Sequence, residues 1–340
     1  MSEAKVTEEG SRNERPGREA VPGAKGGRER LRRRRRRGEQ VVVPEAEFGS
    51  YYGRPIIKAP TWAARDIAGY LFLGGLAGGS SALAAGAEFT GRRALARTAK
   101  IGGLGAIALS TALLIHDLGR PARFLNMLRV FKPSSPMSMG SWILMTYGPA
   151  AGIAAVTDVT GLFPRAGRAA TGWTALSGVA VASYTAVLIS DTAVPAWHEA
   201  HREMPFVFVG SGAAAAAGLG LLAAPVRETV PARAAAVFGA VLEQAAVRRA
   251  RRRLGPLAEP YREGRGGRLM RVSGLLTVAG AVGAATVAGR SRRAAALCGA
   301  ALLAGSACTR FGVFEAGRAS AADPHYTVLA QRGRRESEER

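Results

Sequence analysis

Residues 66–87 read DIAGYLFLGGLAGGSSALAAGA, a run long enough to cross a lipid bilayer with a single acid at its start. A bilayer core is about 30 Å thick, and about 20 mostly apolar helical residues span it. Helices of soluble proteins usually keep one polar face, whereas this run is apolar all round. It therefore predicts a transmembrane helix. The pairs Gly74–Gly75 and Gly78–Gly79 recur every four residues, a spacing that lets neighbouring helices approach closely.

Seven further apolar runs follow in the chain. With the first, the eight runs are 66–87, 99–116, 138–158, 170–191, 205–224, 232–247, 270–289 and 293–312. The sixth is the weakest, because it is short and carries Glu243 and Gln244. The pattern predicts an all-α integral membrane protein with about eight transmembrane helices, an even number that would permit two four-helix bundles. The alternative, a soluble all-α protein, is disfavoured because its helices would show a polar face.

The formal charge of +22 comes largely from arginines in the tails and loops. Residues 1–48 are rich in Gly, Glu and Arg and include the tract Arg32–Arg37, a composition that predicts a disordered basic tail. Such a tail is expected to contact anionic lipid, and nucleic acid is not expected as a partner. The remaining chain divides into a membrane domain, 49–318, and a C-terminal tail, 319–340.

Loop cations predict the orientation, because cytoplasmic loops carry an excess of Lys and Arg. With eight spans, the loops 117–137, 192–204 and 248–269 share a side with both termini. The cations of these loops include Arg120, Arg123, Arg129, Lys132, Arg202 and the cluster Arg248–Arg268. The opposite loops carry Arg92, Arg93, Arg97, Lys100, Arg165, Arg168, Arg227, Arg290, Arg292 and Arg293. Together with the arginine tail, the bias predicts cytoplasmic termini in the cell membrane.

Metal and haem chemistry is limited by the number of ligands. The chain has four histidines, of which only His116 ends a span, whereas a transmembrane haem needs facing axial ligands. Its two cysteines, Cys298 and Cys308, are too few for an iron–sulfur cluster. His198 and His201 lack the i, i+4 spacing of a zinc helix. We therefore expect no metal or covalently bound cofactor in this chain.

Polar residues collect where several spans meet water, and an ionisable group there is a functional candidate. They are Asp66 and Tyr70 in the first span, His116 and Asp117 at the end of the second, Ser141 and Trp142 in the third and Tyr184 in the fourth. All of them fall near the side of the termini. A Tyr, His or Ser donor, an acid and apolar walls suit a quinone headgroup and its isoprenoid tail.

Simpler explanations exist for several of these residues. Trp142 is typical of the interfacial aromatic belt, and Asp117 could form an ion pair with Arg120 or Arg123 at the helix end. Tyr184 could bond a neighbouring carbonyl group instead of a ligand. Glu243 could pair with Arg248 or Arg249 one turn away, or it could transfer protons.

Five segments resemble the NrfD/polysulfide reductase family of membrane subunits. They are YYGRPIIKAPTW from Tyr51, GYLFLGGLAGG from Gly69, HDLGRPARFLNMLRVFKPSSPMSMGSW from His116, YTAVLISDTAVPAW from Tyr184 and RFGVFEAGRASAADPHYT from Arg310. The stretch from Leu118 to Trp142 is specific, whereas a glycine-rich span alone would be weak. The resemblance covers roughly residues 50–332.

The resemblance implies an eight-helix subunit that holds no cofactor of its own and binds menaquinone or ubiquinone. It also implies two partners, a ferredoxin-like subunit with four iron–sulfur clusters and a molybdopterin catalytic subunit beyond it. Asp117, Gly119, Arg120 and Pro121 match the family's Asp-Leu-Gly-Arg-Pro loop. Tyr184 matches its Tyr-Thr pair, and Arg310 with Asp323–Pro324 matches its C-terminal signature.

The implied function is that of a quinone-reactive subunit in an anaerobic respiratory oxidoreductase, not catalytic alone. The quinone site would comprise Tyr184, His116, Asp117, Asp66, Tyr70, Ser141 and Trp142. Asp117 and Glu243 would transfer protons, and Arg120, Arg123, Arg129 and Lys132 would contact the partner. The arginine-rich tail and the loop Arg248–Arg268 depart from the family pattern and suggest a cytoplasmic partner face, although that loop could also bind acidic lipid. A transporter or channel and a passive membrane anchor are the alternative functions.

Overall fold

The computed structural model describes residues 6–7, 10–11, 56–58, 60, 62–118 and 126–338. The chain separates into two units, Met1–Arg54 and Pro55–Arg340. In the first unit, the described residues form two short antiparallel strands, β1 (Val6–Thr7) and β2 (Gly10–Ser11). The rest of the predicted disordered tail, including Arg32–Arg37, lies outside the described residues.

The second unit is helical throughout its described part. Its α-helices are α1 (Ala64–Phe89), α2 (Arg93–Asp117), α3 (Pro136–Thr160), α4 (Pro164–Ser190), α5 (Pro195–Glu199), α6 (Met204–Ala223), α7 (Val230–Leu254), α8 (Gly264–Thr286), α9 (Arg292–Ala322) and α10 (Pro324–Glu338). Two 3-10 helices, Val226–Glu228 and Gly255–Tyr261, flank α7. The segment predicted as a C-terminal tail thus contains the end of α9 and all of α10.

Seven of the described helices are long and apolar enough to cross a membrane: α1, α2, α4, α6, α7 with its 3-10 extension, α8 and α9. The eighth long helix, α3, also has 25 residues and carries Ser, Thr and Tyr side chains, Pro149 and Asp158 among its apolar residues. These eight helices coincide with the eight apolar runs and confirm the predicted fold class of about eight transmembrane helices. The sixth run, predicted to be the weakest, is a full-length helix of 25 residues.

Because successive long helices reverse direction, their ends form two faces. Face A holds the starts of α1, α3, α6 and α8 and the ends of α2, α4, α7 and α9. Face B holds the opposite ends. Both the start of α1 and α10 lie at face A.

The long helices form two four-helix bundles. In the first bundle α1 packs on α2 and α4, and α3 packs on α2 and α4. In the second, α6 packs on α7 and α9, and α8 packs on α7 and α9. The bundles meet mainly through α1 and α6, where Gly75 and Gly79 of α1 lie directly against Gly212 of α6. The absence of side chains there lets the two backbones touch, as the glycine pattern of the first span predicted.

The two bundles repeat one arrangement, although no repeat is evident in the sequence. Helices α2 and α7 both have 25 residues, and their first residues, Arg93 and Val230, lie 137 positions apart. The glycines in contact, Gly75 and Gly212, are separated by the same 137 positions. The α6–α7 pair thus repeats the arrangement of the α1–α2 pair. In each pair the first helix runs from face A to face B and the second helix runs back.

Charged side chains at face B close the ends of helices. Glu228 accepts hydrogen bonds from the backbone N–H groups of Ala94 and Leu95 at the start of α2, at 2.8 and 3.1 Å. Arg292 donates to the carbonyls of Leu221 and Ala224 at the end of α6. An anion at a helix start and a cation at a helix end both match the helix dipole. These charges therefore stabilise the fold at face B.

Candidate functional site

Two tyrosines from different helices meet in the first bundle near face A. Tyr70 of α1 is buried, with 2% of its surface exposed, and it lies within hydrogen-bonding reach of the half-buried Tyr184 of α4. The Tyr184 ring rests directly on Gly140 of α3, where any side chain would collide with it. Three helices thus place two phenolic hydroxyl groups side by side in an apolar setting. Phenol groups so placed can donate hydrogen bonds to a carbonyl oxygen.

An acid and a histidine lie at the outer end of the same bundle. His116 Nδ1 is 3.2 Å from Asp66 Oδ2, which joins the end of α2 to the start of α1. The His116 side chain is 76% exposed and that of Asp66 is 13% exposed. Asp117 interacts electrostatically with both residues. The structure therefore brings together Asp66, His116 and Asp117, all of which the sequence selected as candidates, next to the face that carries the tyrosines.

Ser141 and Trp142, which the sequence assigned to the quinone site, both have hydrogen-bond partners near the start of α3. Ser141 is buried, but its hydroxyl donates to the Met137 carbonyl one turn earlier in α3. Trp142 Nε1 is 3.3 Å from the Val130 carbonyl, and its ring packs edge-on against Phe131. Both side chains thus have partners within α3 and the loop before it, and Trp142 anchors that loop.

The residues predicted to contact a partner lie in this loop. Arg129 and Lys132 are exposed at face A. The Ser138 hydroxyl fixes the loop, because it accepts from the Lys132 backbone N–H and donates to the Val130 carbonyl. Arg120 and Arg123, with Gly119 and Pro121, lie outside the described residues.

Glu243 belongs to the second bundle and is separate from the tyrosine pair. It is buried in α7, and the hydroxyls of Thr309 in α9 and Ser273 in α8 donate to its Oε1 atom. A pairing with Arg248 or Arg249 was the simpler prediction, and it is wrong. Glu243 faces the bundle interior whereas both arginines are exposed, and Arg249 lies 3.6 Å from Glu203 instead.

Lys100 was assigned to a loop from the sequence, and the structure corrects this. It lies inside α2 with a side chain only 5% exposed, 2.7 Å from Glu88 of α1 and 3.1 Å from Asp158 of α3. Arg97 completes the cluster at 2.9 Å from Asp158. The sequence did contain a signal for this burial, because Lys100 lies within an apolar run and an intramembrane charge usually has a partner.

Other polar contacts in the first bundle could not be read from the sequence. The Tyr147 hydroxyl of α3 donates to the Ala77 carbonyl and lies 2.7 Å from the Ser81 hydroxyl, and Ser110 of α2 donates to the Tyr70 carbonyl. Gly140 was also missed, since its importance depends on the ring that lies on it. Among the described residues, no three His, Cys, Asp or Glu side chains come together as a metal site would require.

The family model of polysulphide reductase, NrfD, matches residues 61–238, slightly more than half of the chain. The chain belongs to the NrfD family. The match covers the whole first bundle, with the tyrosine pair and the Asp66–His116 pair, and it continues through α6 into α7. Comparison with curated proteins finds no significant match.

Membership of the NrfD family confirms the resemblance that the sequence motifs indicated. It makes the chain a multi-pass membrane subunit of the kind found in polysulphide reductase and related molybdopterin reductase complexes. Subunits of the NrfD family generally associate with iron–sulfur and molybdopterin oxidoreductase subunits. The NrfD match ends before Glu243, so the polar centre of the second bundle lies outside the matched segment.

Proposed function

We propose that this chain is the quinone-binding subunit of a membrane oxidoreductase complex. The observation that carries the proposal is the Tyr70–Tyr184 pair, which three helices hold near face A of the first bundle on the surface of Gly140. Tyr70 is buried and Tyr184 is half-buried, and each tyrosine hydroxyl in an apolar helix bundle needs a polar partner. A quinone carbonyl oxygen between or beside them would supply a second acceptor.

Reduction of a quinone to a quinol takes two electrons and two protons. Tyr184 and Tyr70 would donate hydrogen bonds to the headgroup and hold it in place, and apolar side chains of α1 and α4 would contact its isoprenoid tail. Asp66, His116 and Asp117 lie between the tyrosines and water, where they can exchange protons with the solvent. The more exposed His116 would be the outermost group of this route.

Glu243 would serve proton movement in the second bundle. Its Oε2 atom is buried and has no hydrogen-bond partner, while Oε1 accepts from Thr309 and Ser273. A buried carboxyl group with hydroxyl neighbours can gain and lose a proton without leaving the protein interior. We expect Glu243→Gln to leave quinone binding intact and to lower proton uptake per electron transferred.

Electrons would come from, or pass to, a ferredoxin-like partner with four iron–sulfur clusters, which connects in turn to a molybdopterin catalytic subunit. This chain alone would not catalyse the full reaction. Arg129 and Lys132, both exposed at face A, are proposed to contact that partner, together with Arg120 and Arg123. Docking at face A would bring a cluster close to the tyrosine pair, which electron tunnelling requires.

We place face A in the cytoplasm and the chain in the cell membrane. Exposed arginines gather at the face A end of the second bundle, namely Arg248, Arg249, Arg252, Arg262, Arg265 and Arg268. At face B, Arg97 and Lys100 pair with carboxylates, and Arg292 closes a helix end. A dense group of cations next to membrane helices favours the cytoplasmic side.

The test uses the intact complex purified with its lipids. We expect extractable menaquinone or ubiquinone and quinol-dependent electron transfer, and we expect Tyr184→Phe or Asp117→Asn to lower turnover by about tenfold or more while the complex still assembles. Tyr147→Phe is the matched control, because that tyrosine is also buried in the first bundle but bonds Ser81 and Ala77 away from face A.

Two results would refute the proposal. A complex without bound or exchangeable quinone would act as a passive anchor. Equal turnover in wild type, Tyr184→Phe and Asp117→Asn would show that the quinone reacts elsewhere.

A further inference from the structure

Arg310 is a fully buried arginine in α9 whose contacts lead out of its own bundle. Its Nη2 atom donates to the Phe208 carbonyl of α6 at 2.8 Å, and its Cζ atom lies 3.7 Å from the centroid of the Phe208 ring. Its Nε and Nη1 atoms are buried without a hydrogen-bond partner. An arginine inside a membrane bundle is costly, so its presence points to a task that an apolar residue could not perform.

The guanidinium group of Arg310 reaches the first bundle at Gly75 of α1. A methyl group in place of the Gly75 hydrogen would lie 2.7 Å from Arg310 Nη2, which is too close for the guanidinium to stay where it is. The same methyl group would lie 3.7 Å from the Gly212 Cα atom of α6. Arg310 therefore fills the junction at which α1, α6 and α9 meet.

Helix α1 connects this junction to the tyrosine pair. Tyr70 precedes Gly75 by five residues, which is about 7.5 Å along a helix. Gly74, next to Gly75, faces the first bundle and packs against Thr185 of α4 and Ser110 of α2. Because α1 is rigid and lies between Arg310 on one side and α2 and α4 on the other, a displacement at Gly75 must also move Tyr70.

We propose that Arg310 is a positioning residue for the quinone site. Its guanidinium stacks on Phe208 and contacts Gly75, and it thereby fixes the distance between α1 and the second bundle. This distance determines the position of Tyr70 relative to Tyr184. The electrostatic contact of Arg310 with Glu243 extends this link into the polar centre of the second bundle. The inference rests on the proposed quinone function and assigns a second-bundle residue to a first-bundle site.

Two substitutions disturb the junction from opposite sides. Gly75→Ala pushes a methyl group into the guanidinium, and Arg310→Met removes the charge and the hydrogen bond to the Phe208 carbonyl. In the intact complex we expect each to raise KM for quinol by about tenfold or more with a smaller change in kcat, because a displaced tyrosine weakens substrate positioning. In the full-length chain in lipid nanodiscs, amide hydrogen exchange in the α1 segment 66–76 should become faster.

Matched controls separate this role from general destabilisation. Gly86→Ala is on the same helix, where an added methyl group meets nothing within 4 Å, and Arg292→Met removes a different arginine that closes α6 at face B. Both should leave KM and the exchange of 66–76 unchanged. Arg310→Lys keeps the charge and should restore part of the wild-type KM; if Arg310→Met does not fold, Arg310→Lys and Gly75→Ala carry the test.

The outcomes distinguish the two proposals. In one outcome the wild-type complex turns over quinol, while Gly75→Ala and Arg310→Lys leave the KM for quinol and the amide hydrogen exchange of 66–76 unchanged. That outcome would overturn the role of Arg310 and leave the quinone function standing. Equal effects from Gly75→Ala and Gly86→Ala would also overturn it. No quinol turnover in the wild-type complex would overturn the proposed function itself, whatever the exchange measurements show.

Discussion

At the scale of single residues, the proposed site depends on a glycine as much as on its tyrosines. Tyr184 can lie beside Tyr70 only because Gly140 leaves room for its ring on α3. The aromatic side chain supplies both the apolar ring that packs in the bundle and the hydroxyl that bonds within it. Gly140 therefore marks the place that the Tyr184 ring, from another helix, occupies.

Gly140→Ala tests this arrangement. The methyl group would occupy the space of the Tyr184 ring, so the ring must move away from Tyr70, and we expect quinol turnover to fall by about tenfold or more. Gly148→Ala, in the same helix, is the control, because a methyl group there meets no neighbour within 4 Å. Both changes raise helix propensity to a similar extent, so a difference between them measures the contact with Tyr184. Similar turnover in the two variants would contradict the prediction.

At the scale of elements, a pair of polar side chains joins the start of one helix to the end of the next in both bundles. Asp66 and His116 join α1 to α2, and Glu203 and Arg253, each 137 positions later, join the start of α6 to the end of α7. Glu203 is 2% exposed, and Arg253 lies 2.6 Å from its Oε2 atom. The first bundle therefore has a titratable histidine where the second has a permanently charged arginine. This difference fits the proposal that protons are exchanged with the solvent at the face A end of the first bundle.

The Glu203–Arg253 pair gives a stability prediction. Burial alone would raise the pKa of the Glu203 carboxyl, but the hydrogen bonds and charge of Arg253 lower it below its ordinary value of 4.5. A carboxyl with a lowered pKa stabilises the fold above its ordinary pKa, and this contribution is lost as the pH falls through the lowered value. We expect Glu203→Gln to reduce stability at pH 7 by about 2 kcal/mol, the usual scale for hydrogen bonds to charged groups.

Thermal unfolding of the purified chain in detergent measures this effect. The gap between wild type and Glu203→Gln should be largest at neutral pH and should close in acid below pH 4.5. Arg249→Gln is the control, because Arg249 is 3.6 Å from Glu203 and its side chain is 80% exposed, so its loss should change stability little. A gap that stays constant with pH would show that the carboxylate charge is not responsible.

At the scale of the whole molecule, the two faces differ in how their charges are used. Both faces leave arginines exposed, such as Arg165 and Arg227 at face B, but the second bundle concentrates its exposed arginines at face A within residues 248–268. Face B in addition pairs Arg97 and Lys100 with carboxylates. Face A also carries Tyr70, Tyr184 and the Asp66–His116 pair. The proposed reaction and the proposed partner contact therefore lie on the same side of the membrane.

Cysteine labelling of intact cells tests the orientation. In a chain with Cys298 and Cys308 replaced by Ala, a single cysteine is introduced at Arg202 on face A or at Arg227 on face B, both exposed positions. If face A is cytoplasmic, a maleimide that cannot cross the membrane should label Arg227→Cys and should label Arg202→Cys only after the cells are opened. The reverse pattern would put face A and the partner subunit outside.

The amino-acid sequence by itself determined the approximate number, the positions and the type of the long helices, because hydropathy and small-residue spacing are local properties that lipid selects directly. It also placed Asp66, His116 and Asp117 near one another, since short connections put the ends of neighbouring spans on one face. Only the tertiary structure decided that Tyr184 meets Tyr70 over Gly140, that Lys100 is buried between two acids, and that Arg310 reaches Gly75. These contacts join residues far apart in the chain, and which helix faces which is set by packing between whole helices, a property that no local pattern contains.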